Sequence, residues 1–158
     1  MNKRSVVEGA IGRRGLAVLV MAGGAAVTIV GTLLPWLRTG GRQRHSYDLF
    51  ALVGRLGFPP DGPVGTALHW WPVVPLLAIA SVVAGWWGWP RIGGTIGVAA
   101  ACYAGGTAVA ITVAGSDDFD LRAGTIVTIG GAAVLLAGAV LTVVTGFRVP
   151  VSSRRAQP

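Results

Sequence analysis

The chain has 158 residues, of which 53% are hydrophobic and only 12% charged, with a formal net charge of +7. Soluble domains carry about 25% charged residues, so a globule with an all-round polar surface is excluded, and the 25 glycines follow no collagen-like G-X-Y period. The single Cys102 excludes an intrachain disulfide and, among apolar neighbours, reads as an inert small hydrophobe.

Residues 1–15 form a basic tail carrying Lys3, Arg4, Arg13 and Arg14. An uncharged run follows over about 16–35, close to the ~20 residues a helix needs to cross the hydrocarbon layer. It is long for the apolar core of a cleaved signal, and no A-x-A site precedes Pro35-Trp36. It is read as a retained helix.

The loop 36–70 is the largest water-facing piece. It opens "RTGGRQRH", which sets Arg38, Arg42 and Arg44 on a flexible Gly-Gly hinge. Leu49, Leu52, Val53 and Leu56 then recur at helical spacing. Ser46 is a suitable N-cap there, and Asp48 suits the positive end of the helix dipole. A short amphipathic helix lying on the outer membrane surface is expected, closed by the turn "PPDGP". For the three arginines three readings stand. They fork onto phosphate or carboxylate of a lipid or partner, they pair with Asp117, Asp118 and Asp120 of the other outer loop, or they are simply solvated.

The second run, 71–89, belongs to "WWPVVPLLAIASVVAGWWGWP", which holds five of the six tryptophans in two clumps. Indole is flat, amphipathic and a single donor, so it favours the headgroup zone. Trp71 and Trp87 are sixteen residues apart, a helical rise of ~24 Å. Trp70, Trp71, Trp86, Trp87 and Trp89, with Trp36 at the end of the first run, are therefore expected as interface anchors.

The third run, 92–114, places Gly93, Gly97, Ala101 and Gly105 every four residues, a flat groove on which another helix can close. The fourth, 124–147, has Gly130, Gly138, Thr142 and Gly146; the second offers Ala80, Ala84 and Gly88, and the first Gly23 and Gly31. The Trp89-Pro90-Arg91 turn is so short that helices two and three must be neighbours. A second outer loop, 115–123, and a tail, 148–158, complete one membrane domain over 1–158. The expected fold is all-α: a four-transmembrane-helix antiparallel bundle with a short outer amphipathic helix.

Four spans put both ends on one side. That side carries eight basic residues against Glu8, while the other balances five arginines with five aspartates. Positive residues mark the cytoplasm, so a plasma-membrane protein with both termini cytoplasmic is expected. The basic balance is thus a topology signal, and no basic helix face or aromatic motif points to nucleic acid.

No Asp, Glu, Lys, Arg or His lies inside a run, although such residues usually carry ion paths, proton relays and catalysis within membranes. Interior polarity is limited to hydroxyls such as Thr28, Ser81, Thr107, Thr112, Thr128 and Thr142, with Tyr103. Threonine and serine can satisfy themselves against the preceding helical turn. Nucleotide-binding, metalloprotease, dithiol and serine-hydrolase motifs are all missing. His45 and His69 stand twenty-four residues apart. No catalytic residue, cofactor or metal is expected.

At "LLPWLRTGGRQRHSYDLF", followed by the WWP segment, the chain resembles the small four-span integral membrane proteins of actinobacteria, mycobacteria included. The likeness is one of layout over most of the chain. Arginine outnumbers lysine twelve to one amid abundant Ala, Gly and Val, as GC-rich codons would give. Most members of that group carry no assigned activity, and some serve as accessory subunits of envelope complexes. The resemblance implies a non-catalytic accessory or assembly subunit that contacts lipid and other membrane subunits or itself. A small oligomeric transporter or channel for a neutral solute is the alternative.

Overall fold

The computed structural model describes residues 3–39, 42–47, 70–114 and 123–147, with side-chain surroundings for 12–36, 46–47, 70–113 and 123–147. Helix α1 (Lys3–Leu33) leads into a hairpin of β1 (Pro35–Thr39) and β2 (Arg42–His45). Helices α2 (Val73–Trp86), α3 (Pro90–Ala114) and α4 (Ala123–Phe147) follow. Three segments, Gly12–Leu33, Pro90–Val113 and Ala123–Phe147, are long and apolar enough to cross a bilayer. By length and composition this is a membrane-spanning, mainly helical protein.

Two features depart from expectation. Where a flexible Gly-Gly hinge was expected, an antiparallel ladder pairs Leu37 with Arg44, Arg38 with Gln43 and Thr39 with Arg42. Gly40-Gly41, the expected hinge itself, lies between the strands and outside the described residues. The register slips between Pro35 and Leu37, and a bulge of this kind re-aims the side chain within it. That residue is Trp36. The amphipathic helix expected after the hairpin is helical at Ser46 and Tyr47, and its remainder lies outside the described residues, as does the loop 115–122.

The second departure is length. α2 has 14 residues, a rise of about 21 Å, where 71–89 was expected. Proline explains the start: Pro72 caps the helix and Pro75 occupies its first turn, where a missing N–H costs nothing. A glycine explains the stop. Gly88 has φ +99°, and the Trp89 N–H reaches back to the Ala84 carbonyl at 3.0 Å, the closing bond of a left-handed helix cap. Even so, α2 bridges the molecule. Its entry residue Trp71 meets Trp36 beside the hairpin, with ring centroids 5.3 Å apart, and Gly88 lies beside Arg14 at the opposite, tail end.

The most extensive contact is between α1 and α4, followed by α3 with α4 and α2 with α3. Backbone meets backbone along the first of these. A methyl group on Gly31 would collide with Thr128, on Gly131 with Thr28, on Gly24 with Leu135 and on Gly138 with Met21. Those partner numbers fall as the others rise, so α1 and α4 are antiparallel in one unbroken register. Among the buried residues of α4 runs the series Gly124, Thr128, Gly131, Leu135, Gly138 and Thr142. Its alternating four- and three-residue steps are the repeat of a left-handed helix pair.

Gly23 and Gly130, which the sequence suggested for contact, face open space. Likewise Ala80 and Gly88 are exposed and Ala84 only half-buried, while the packed face of α2 is Val74, Ala78, Ser81 and Gly85. The central core gathers Val18, Met21, Ala25, Ala78, Ala100, Ala101, Leu135 and Ala139 from all four helices.

Candidate functional site

Small residues of α3 meet helices of the same chain. A methyl on Gly93 would lie 2.5 Å from the Gly85 nitrogen and 2.6 Å from the Ser81 carbonyl oxygen of α2. On Gly97 it would meet Ala139 at 2.9 Å, and on Gly105 Ala132 at 3.2 Å, both on α4. Ala101 is buried in the same core. This face is therefore occupied within the bundle. Close approach of backbones takes the place of the hydrophobic drive that lipid cannot supply.

Hydroxyls in the interior turn onto their own helices. Thr28, Thr128 and Thr142 donate to the carbonyls of Gly24, Gly124 and Gly138 at 2.7–2.8 Å. Thr107, Thr112 and Ser81 donate likewise to Tyr103, Ala108 and Ala78. Three times, then, a glycine at a close contact, with a partner helix for Gly24 and Gly138 and with the start of the hairpin for Gly124, is followed one turn later by a threonine bonded to it. Glycine removes the side chain that would keep the partner away, and threonine hides its oxygen and leaves its methyl group for packing. Thr125 is the exception, for its buried Oγ1 meets no partner among the described residues.

At the hairpin end the tryptophans divide by role. Trp36 and Trp71, expected as lipid-interface anchors, are wholly buried in protein. Trp36 stands nearly perpendicular to Trp71, at 84°, and Trp71 lies 6.0 Å from Tyr103. Gly124 gives Trp36 its room, since a methyl there would strike the indole edge. The Trp36 N–H donates to the Gly31 carbonyl at 2.9 Å. The Trp71 N–H donates to Ser46 Oγ at 3.2 Å, and that hydroxyl donates to the Thr32 carbonyl at 2.5 Å. Ser46 thereby ties the end of the hairpin to both α1 and α2. Buried indoles need such partners, and no sequence period marked them. Position did not mark them either: each adjoins a proline at a helix boundary, but so does the exposed Trp89.

Arg38, Arg42 and Arg44 lie on the strands of this hairpin, all within six residues of the Trp36–Ser46 staple. The aspartates considered as their partners lie outside the described residues. Among the described residues no group of three His, Cys, Asp or Glu gathers to hold a metal ion.

Trp70, Trp86, Trp87 and Trp89 project outward, at 57–76% exposure, as lipid-facing indoles would. The last three ring the tail end. There two adjoining hollows of about 280 and 400 Å³ share Arg14 and Gly88. Arg91 lines the smaller hollow, and its guanidinium stacks on Phe147 at 4.3 Å from the ring centre.

No family model, no curated protein and no solved structure matches the chain.

Proposed function

We propose that this is a non-catalytic, four-span plasma-membrane protein acting as an accessory or assembly subunit of a cell-envelope complex, in the manner of the small actinobacterial proteins it resembles. The observation that carries this reading is the closure of the bundle. Gly24, Gly31, Gly131 and Gly138 let α1 and α4 meet backbone to backbone, Met21 and Leu135 fill the centre, and Thr28, Thr128 and Thr142 turn their hydroxyls onto their own helices. Such an interior is built for rigidity. It favours a scaffold over a solute path through a single copy.

The docking element in this reading is the arginine-bearing hairpin, held on the rigid bundle by Trp36, Trp71 and Ser46. Arg38, Arg42 and Arg44 would fork onto carboxylates of a partner subunit. The short α2 would be the fourth crossing, completed by its tryptophan-rich turns, with both termini cytoplasmic under the charge rule.

Co-purification of the full chain in mild detergent tests this. Stoichiometric foreign membrane subunits, lost when Arg38, Arg42 and Arg44 are all changed to Gln, are expected. A homo-oligomer that passes a neutral solute in liposomes would overturn the reading in favour of transport.

A further inference from the structure

We infer that the tail end of the bundle holds a binding site for the phosphate of an anionic phospholipid headgroup. This inference needs only that the helices lie in a bilayer; it is independent of the accessory-subunit reading.

Charge comes first. Arg14 from α1 and Arg91 from α3 line one hollow of about 280 Å³, although they are 77 residues apart in the chain. Glu8 stands six residues before Arg14 on α1, more than a full turn further along the helix.

Shape comes second. The Arg91 guanidinium is held over the Phe147 ring, 4.3 Å from its centre, a contact that fixes the cation while its N–H groups can still donate to a ligand. Arg14 leans over the turn between α2 and α3, with Nη2 3.8 Å from the place a side chain would occupy at Gly88. Gly88 is left-handed and opens that space by having no side chain. The first turn of α3 also lines the hollow, and helix N-termini favour anions.

The surroundings name the source of the phosphate. The second hollow, about 400 Å³, opens beside the first between α1 and the end of α2, lined by Val18, Trp86 and Trp87. Trp86, Trp87 and Phe147 are 70%, 76% and 64% exposed. A dianion in water needs no such apolar annex. A lipid needs one for its glycerol and upper acyl chain, at the headgroup depth where indole prefers to lie. Juxtamembrane arginines attract anionic lipid in any case; here two of them line one open surface hollow.

Native mass spectrometry of the full chain in neutral detergent provides the test, with phosphatidylglycerol, phosphatidylcholine or inorganic phosphate added separately. The expected result is retention of phosphatidylglycerol over phosphatidylcholine by roughly tenfold or more. Changing both Arg14 and Arg91 to Gln should abolish that preference. Arg13→Gln should leave it intact, because Arg13 is exposed and lines neither hollow. Equal loss in Arg13→Gln would overturn the site in favour of diffuse charge. Undiminished preference in the double variant would overturn it outright. Retention of inorganic phosphate matching that of the lipid would overturn the lipid assignment. Should the double variant not fold, headgroup-brominated phosphatidylglycerol added to the unaltered protein must quench tryptophan emission more than its phosphatidylcholine counterpart. Equal quenching would sink the proposal.

Discussion

A methyl group on Gly24 would strike the Leu135 backbone, whereas the same methyl on Gly23 meets nothing within 4 Å. Gly131 and Gly130 repeat the contrast on α4. Overpacking of this kind costs about 1–3 kcal/mol, while alanine at an open helical site is neutral or gains the propensity difference, up to ~1 kcal/mol. Gly24→Ala and Gly131→Ala should therefore lower the thermal midpoint in detergent, and Gly23→Ala and Gly130→Ala should not. A uniform response across the four variants would count against the α1–α4 register. Thr125 allows the opposite change. Its hydroxyl is buried without a partner among the described residues, and valine has nearly its shape. Thr125→Val should leave stability unchanged or raise it by about 1 kcal/mol, as the same melts will read, while a large loss would mean that the hydroxyl is bonded after all.

At the scale of elements, the helices were readable from uncharged length and so was the small-residue face of α3, whereas the contact faces of the other helices were legible only in part. Small residues fill this chain so densely that several four-residue series can be drawn on each helix. Gly23 with Gly31, and Gly130 with Gly138, keep even spacing, yet Gly23 and Gly130 point away from the bundle. The partner helix decides the face, through steps that alternate four and three along Gly124, Thr128, Gly131, Leu135, Gly138 and Thr142. That rule emerges only once two helices are wound together.

The hairpin escaped for another reason. A Gly-Gly pair in a sequence suits a flexible hinge as well as a link between paired strands, and the long-range contacts of Trp36 and Ser46 that accompany the pairing leave no local signal. Ser46→Ala should consequently release the hairpin, because it removes the acceptor of the Trp71 N–H and the donor to Thr32 together. A loss of about 1–3 kcal/mol and faster trypsin cleavage after Arg42 and Arg44 are expected. Cleavage at an unchanged rate would show that the hairpin is anchored elsewhere.

The whole molecule turns on α2. With 14 residues it rises about 21 Å, short of the ~30 Å hydrocarbon layer. Its flanks continue the path, however, for Val73 and Val74 donate to the carbonyls of Trp70 and Trp71, and Trp87 to Val83. The carbonyls of Trp70 and Trp71 and the N–H of Trp87 are thus satisfied beyond the ends of the helix, as an apolar medium demands. Thinning of the bilayer accommodates a short span at a fraction of a kcal/mol per Å of mismatch.

If α2 crosses, α3 returns and α4 crosses again, residue 87 must share a side with residue 12, and residue 43 must lie opposite. Single cysteines at these three positions, in a Cys102→Ala background, can be labelled in sealed vesicles with a charged maleimide. Gly12→Cys and Trp87→Cys should react from one side and Gln43→Cys from the other. Trp87→Cys labelling together with Gln43→Cys would mean that α2 enters and leaves by the same face. The chain would then have three spans, with its termini on opposite sides.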